Sequence, residues 1–196
     1  FEGEPVHIHG PRDAARLGIE VVYQDLALAD NLDVTANMFL GRERTHRGLV
    51  LDESSMEHTA QETLESLSVT TLGSVRQTVA GLSGGQRQAV AVAKSVMWNS
   101  KLLILDEPTA ALGVAQTRQV LDLVRRLADR DLGVVIVSHN LHDVFEVADR
   151  ITVLRLGQGV AVLNRSETSQ QEVVQAITAG RIDHVPGMAD AGVAET

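Results

Sequence analysis

Two adjacent carboxylates at the end of an apolar run are the side chains in this sequence best suited to chemistry. Leu102-Leu103-Ile104-Leu105 leads straight into Asp106-Glu107-Pro108. A short apolar run bounded in this way reads as a buried strand. Its carboxylates would then stand at the carboxyl edge of a sheet, where open α/β folds bind ligands. Asp106 is placed to hold Mg²⁺, usually through water. Glu107 points the other way along the strand and can orient or deprotonate a water. The same pair could equally serve as a turn cap and a solvated side chain.

Three further segments invite the same kind of reading. Leu82-Ser83-Gly84-Gly85-Gln86 joins two glycines and a hydroxyl to the start of an Ala- and Val-rich helix. Free amides and the helix dipole there favour an anion, and glycine lets backbone approach it. A serine N-cap after a glycine turn would explain the Ser-Gly pair alone. Val134-Val135-Ile136-Val137-Ser138-His139 repeats the strand-then-polar pattern, so His139 falls at the same edge as Asp106. Gln24 ends the β-branched run Ile19–Tyr23 and by itself carries almost no specificity.

Elements must position these residues, and the periodicities supply them. Strands are expected at Glu4–His9, Ile19–Tyr23, Lys101–Asp106 and Val134–Ser138, with a closing hairpin of Ile151–Leu156 and Val160–Leu163. Helices are expected at Arg12–Leu17, Asp33–Leu40, Ser54–Leu67 with Ser54 or Ser55 as its cap, Gln86–Met97, Ala115–Ala128, Leu141–Ala148 and Gln170–Ala179. Strand and helix alternating in this order is the mark of a parallel α/β sheet. The Gly- and Ala-rich stretch 181–196 lacks periodicity and reads as a flexible tail.

Composition narrows the classes. The 196 residues carry 26 acidic and 17 basic side chains, a formal charge of -9, which argues against a nucleic-acid surface. Cysteine is absent, so there is no disulfide framework and no thiolate metal site. With aromatics at 3%, aliphatic side chains must fill the core. No run approaches the roughly 20 apolar residues that span a bilayer. The first residue is Phe1 and no signal peptide is visible, which fits a cytoplasmic protein lacking its natural N-terminus.

Taken in order, a strand-terminal Gln24, Leu-Ser-Gly-Gly-Gln, an apolar strand with Asp-Glu-Pro and a strand-terminal His139 resemble the ATP-binding-cassette (ABC) ATPases, over about residues 3–179. The resemblance implies a P-loop NTPase-like α/β core with a parallel sheet and a helical signature subdomain, its N-terminal strands missing. It implies one partial ATPase domain over 1–180, with the Q-loop and helical region at about 25–98 and the catalytic core at 99–164. Gln24 is then the Q-loop glutamine, Ser83–Gln86 the signature motif, Asp106 the Walker B aspartate, Glu107 the catalytic glutamate and His139 the switch histidine. ATP and Mg²⁺ are the implied cofactors, with Asp106 and Gln24 on the metal. Glu107, His139 and Gln24 are the implied catalytic residues, while Asp106 and His139 bind the nucleotide. Ser83, Gly84, Gly85 and Gln86 would reach it in trans, across a homodimer.

Softer text points to a subfamily. Val22–Leu28 with Asn31-Leu32, Phe39–Glu43 and Ala111–Val114 look like the ATPases of bacterial monosaccharide importers. That resemblance implies transmembrane permease partners, an indirect periplasmic or extracellular sugar-binding protein, and a peripheral position on the cytoplasmic face of the membrane. Gly113 departs from the commoner cassette pattern, which has Asp there. The family's Gly-x-x-x-x-Gly-Lys-Ser/Thr phosphate loop is not among these residues, and its usual place lies ahead of Phe1. Truncation is the expected reason, and the apolar faces of Ile19–Val22 and Leu102–Leu105 are expected to be left exposed. The alternatives are a soluble, non-transport ABC ATPase and an inactive binding module.

Overall fold

Alternating apolar positions and helical repeats produce the elements of the computed structural model, which describes residues 1–180. The chain divides into two compact units at His139/Asn140. In the first unit, helix α1 (Pro11–Arg16) begins with proline at a position where the missing N–H costs nothing. It leads to β1 (Ile19–Val22), then to α2 (Val34–Phe39), capped by the Asp33 carboxylate on the Ala36 amide. A small hairpin of β2 (Thr45–His46) and β3 (Val50–Leu51) precedes α3 (Glu53–Ser66). Next come α4 (Gly84–Val96), β4 (Leu102–Asp106), α5 (Val114–Ala128) and β5 (Gly133–Val137).

The sheet of this unit is wholly parallel, in the order β1-β4-β5. Parallel neighbours need long crossovers, and α5 supplies the one between β4 and β5. Helix α4 packs against β1, and α5 packs against α4 and β5. Leu103 and Leu105 of the central strand are fully buried, together with Val22, Val90, Val92, Val120, Leu121 and Val124. The opposite face of β4, Leu102 and Ile104, is half-buried. The expected exposure of Ile19–Val22 and Leu102–Leu105 is therefore corrected: the open apolar surface lies on the edge strand β5. There Val135 is 45% and Val137 51% exposed, so the all-apolar run of β5 is not the buried strand its composition suggests.

Two other expectations change. Glu4–His9 is exposed coil, since no strand among the described residues lies beside it to accept ladder hydrogen bonds. The α3 cap is Asp52, whose carboxylate accepts from the Ser55 amide, rather than Ser54 or Ser55. The far end of α3 is held by α5 and the turn after it: Arg126 donates to the Leu67 carbonyl at 3.2 Å, and Arg130 donates to that of Ser66. Cationic donors on terminal carbonyls also complement the helix dipole.

The second unit, described over residues 140–180, holds α6 (Leu141–Val147), the antiparallel pair β6 (Arg150–Arg155) and β7 (Gln158–Asn164), and α7 (Gln170–Ala179). Its core gathers Ile151, Val153, Leu163, Val173 and Ala176, with Val144 and Phe145 packed against them. A capping box of Ser169 and Glu172 opens α7, and Gly180 closes it in the left-handed conformation at φ 72°. The tail expected at 181–196 lies outside the described residues.

Candidate active site

The parallel register is what assembles the site. Val22 pairs with Leu105, and Leu105 pairs with Ile136. Three strands therefore end side by side, and Gln24, Asp106 with Glu107, and His139 all leave the same carboxyl edge. Tyr23, Gln24, Asp25, Ala27 and Asp106 line one open depression there, so Gln24 and Asp106 share a surface although 82 positions apart in sequence. The backbone around it is strained. Leu26 and Ala27 after β1, Glu107 after β4 and Ala111 beyond it all have positive φ, from 46° to 62°. Each such residue costs of order 1–3 kcal/mol and persists only where its surroundings impose it.

Glu107 and His139 form the tightest pair. The Glu107 amide donates to the Val137 carbonyl at 2.8 Å, which turns its side chain toward the end of β5. One oxygen, Oε1, accepts the His139 amide at 3.1 Å and stands 2.8 Å from His139 Nδ1. A carboxylate can only accept, so Nδ1 carries the proton, and Nε2 is the ring's other polar atom. The His139 ring is largely exposed while Glu107 is mostly buried. The hydrogen bond to Glu107, and then its negative charge, raise the His139 pKa above the ordinary imidazole range.

Ser83 to Gln86 occupy the start of α4. Ser83 is its N-cap: the hydroxyl accepts the Gln86 amide at 3.3 Å, and the Ser83 amide donates to Gln86 Oε1 at 2.9 Å. Gln86 Nε2 in turn donates to the Thr71 carbonyl at 2.5 Å. Both ends of the Gln86 amide are thus engaged within the chain. Ser83 and Gly84 are exposed; Gly85 is buried.

Some structurally decisive residues carry no sequence signal. Asn37 is wholly buried in α2 and organises the loop that follows Gln24. Its oxygen accepts the Ala29 amide at 2.7 Å, and its nitrogen faces the carbonyls of Ala29, Leu32 and Asp33 at 3.0–3.3 Å. Gln116, near the start of α5, reaches back to accept the Gly113 amide at 3.2 Å, as Gln86 does for Ser83 at the start of α4. A lone Asn or Gln in a helix looks like any solvated residue until the fold is known.

Residues 1–110 match the family model described as ABC transporter. The chain belongs to the ABC transporter family. Two relatives illustrate the likeness. The fructose import ATP-binding protein of Rhizobium meliloti is 44% identical over 187 residues, covering 92% of this chain and 72% of that protein. The xylose/arabinose import ATP-binding protein of Sulfolobus acidocaldarius is 43% identical over 178 residues, with 91% and 70% covered. Among solved structures, a dimeric ATP-binding cassette in a post-hydrolysis state, bound to ADP and Pi, superposes with a TM-score of 0.61. It is 26% identical, and 76% of this chain and 64% of that one are covered. The α/β fold of this ABC-family chain is accordingly that of the cassette core.

Proposed function

We propose that this ABC-family chain is the ATP-binding and hydrolysing subunit that powers an importer, with a sugar as cargo. The observation that carries the reading is the single sheet edge collecting Gln24, Asp106, Glu107 and His139. The import of fructose and of xylose or arabinose by the two relatives supports the choice of cargo.

The chemistry then divides by residue. Glu107 orients and polarises the attacking water, with its carboxylate fixed by His139. The exposed Nε2 of His139 contacts the γ-phosphate. Asp106 and Gln24 offer a carboxylate and an amide oxygen, a hard-donor pair that suits Mg²⁺, an ion that keeps several waters and phosphate oxygens as its other ligands. When bound with the nucleotide, that ion neutralises phosphate charge. The reading also requires a Gly-x-x-x-x-Gly-Lys-Ser/Thr loop, which these 196 residues do not contain.

Ser83, Gly84 and Gly85, with Gln86 as the brace of their turn, meet the nucleotide held by a second copy. The dimeric solved relative supports such an assembly. Permease subunits in the membrane, with a sugar-binding protein acting through them, complete the importer, and the chain sits peripherally on its cytoplasmic side. No helix among the described residues is long and apolar enough to cross a membrane. The test is size-exclusion chromatography with ATP and Mg²⁺ on the full-length protein. Glu107→Gln should trap a dimer, and Ser83→Arg should stay monomeric while still binding ATP. Equal dimerisation of the two variants would defeat the trans assignment.

A further inference from the structure

The two glycines at the start of α4 do not open onto empty space on every side. A Cβ built on Gly84 would stand 2.9 Å from Leu112 Cδ2, and one built on Gly85 would stand 3.3 Å from both Cβ and Cγ of Gln116. At 2.9 Å something must shift, here the far end of the flexible Leu112 side chain, and 3.3 Å is tighter than nine in ten real Cβ contacts, so the Gln116 stem must give by a few tenths of an ångström. Leu112 and Gln116 belong to the turn and first helical residues that follow Asp106 and Glu107. Gln116 does two jobs at once. Its stem is the surface on which Gly85 lies, and its Oε1 closes the turn by accepting the Gly113 amide. Gln119 Oε1 adds a third contact, 3.7 Å from the Gly85 position.

We propose that Leu112 and Gln116 are positioning residues: they hold the N-terminus of α4 against the turn that leaves the carboxylate edge, and residue 84 is glycine because Leu112 of the same chain fills the space beside it. The usual reason for glycine at an anion site is backbone approach to the ligand; here the neighbouring side chain supplies an independent one. Leu112 is half-buried, so turning its end away from the Gly84 position gives up part of its packing. A methyl group added at Gly84 must turn Leu112 or displace the start of α4, and the displacement reaches the Ser83 hydroxyl and the 84–85 amides together. This rests on the ATPase reading only for its kinetic consequence, since the packing is a property of the chain.

The experiment is a double-mutant cycle in the full-length native protein, read by thermal melting and by steady-state ATP turnover. Gly84→Ala should lower the melting temperature by about 2 °C or more, the shift expected of mild overpacking. It should lower kcat by up to about 100-fold with a smaller change in KM, as expected when reacting groups are misplaced. Adding Leu112→Ala should bring kcat to within about twofold, and the melting temperature to within about 1 °C, of Leu112→Ala alone, departing clearly from additivity. If Leu112→Ala unfolds the protein, Leu112→Val, which shortens the same side chain, takes its place. Gln116→Ala should reduce kcat, while Gln116→Glu, which keeps the stem and the accepting Oε1, should restore most of it. Strictly additive effects of Gly84→Ala and Leu112→Ala would overturn the proposal, as would a silent Gly84→Ala or a Gln116→Glu no better than Gln116→Ala. A wild-type protein without ATPase activity would count against the functional reading, and the melting cycle would still judge this one.

Discussion

Replacing Asn37 tests how the loop after Gln24 is held, and the cost can be worked from its four contacts. Removing the side chain withdraws a donor from three carbonyls, but each of those keeps another partner. Ala29 O still accepts from the Leu32 amide, Leu32 O from the Val79 amide and Asp33 O from the residue 37 amide. Only the Ala29 N–H, bonded to Asn37 Oδ1 at 2.7 Å, is orphaned. A buried unsatisfied donor costs about 1–3 kcal/mol, and the vacated volume at a fully buried site adds to it. Asn37→Ala should therefore destabilise the first unit by roughly 2–4 kcal/mol. Asn37→Asp keeps an acceptor for the Ala29 amide yet sets a carboxylate against three carbonyl oxygens, so at pH 7 it should cost more than Ala. Trp98 is the sole tryptophan and packs edge-on against Phe39, the last residue of α2, so its fluorescence reports this unit in urea. A loss below about 1 kcal/mol for Asn37→Ala, or Asp outlasting Ala at pH 7, would refute the reasoning.

Leu105→Ala empties a fully buried site one residue before Asp106; it should cost about 2–5 kcal/mol in the same urea assay, and a cost under about 1 kcal/mol would mean the β4 core is not packed as described. The His139 imidazole should titrate above the usual value of about 6.5, because Glu107 raises its pKa. The sign follows: the favourable contact is fully present below pH about 6.5 and is lost as pH rises through the folded-state value. NMR titration of the ring should show Glu107→Gln lowering that pKa, and no change on this substitution would remove Glu107 as its cause.

Most of the edge that carries the site was legible because strand length and apolar runs constrain one another. The strands expected at Lys101–Asp106 and Val134–Ser138 lie within one residue of those observed, Leu102–Asp106 and Gly133–Val137, and a parallel sheet then obliges Gln24, Asp106 and His139 to leave on one side. The contact between Glu107 and His139 was not legible, since it depends on a left-handed residue after β4 that no periodicity announces. The exposure of β5 has a physical reason: an apolar run reports affinity for a core, whereas burial depends on neighbours, and among the described residues β5 has one strand beside it. The short hairpin at 45–51 carries no sequence signal because two-residue strands leave no period to read. Asn37, Leu112 and Gln116 act through contacts between segments, which composition does not encode.

Steady-state ATP turnover of the full-length protein and its Glu107→Gln variant, at saturating ATP with Mg²⁺, bears most directly on the central claim. The substitution keeps the side-chain shape and a hydrogen-bond acceptor for His139 while removing the carboxylate base. Wild-type turnover with a loss of at least about 100-fold in the variant, and ATP binding retained, is the predicted result. Equal turnover by the two proteins would contradict the assignment of Glu107, and with it the reading of this sheet edge as the hydrolytic site.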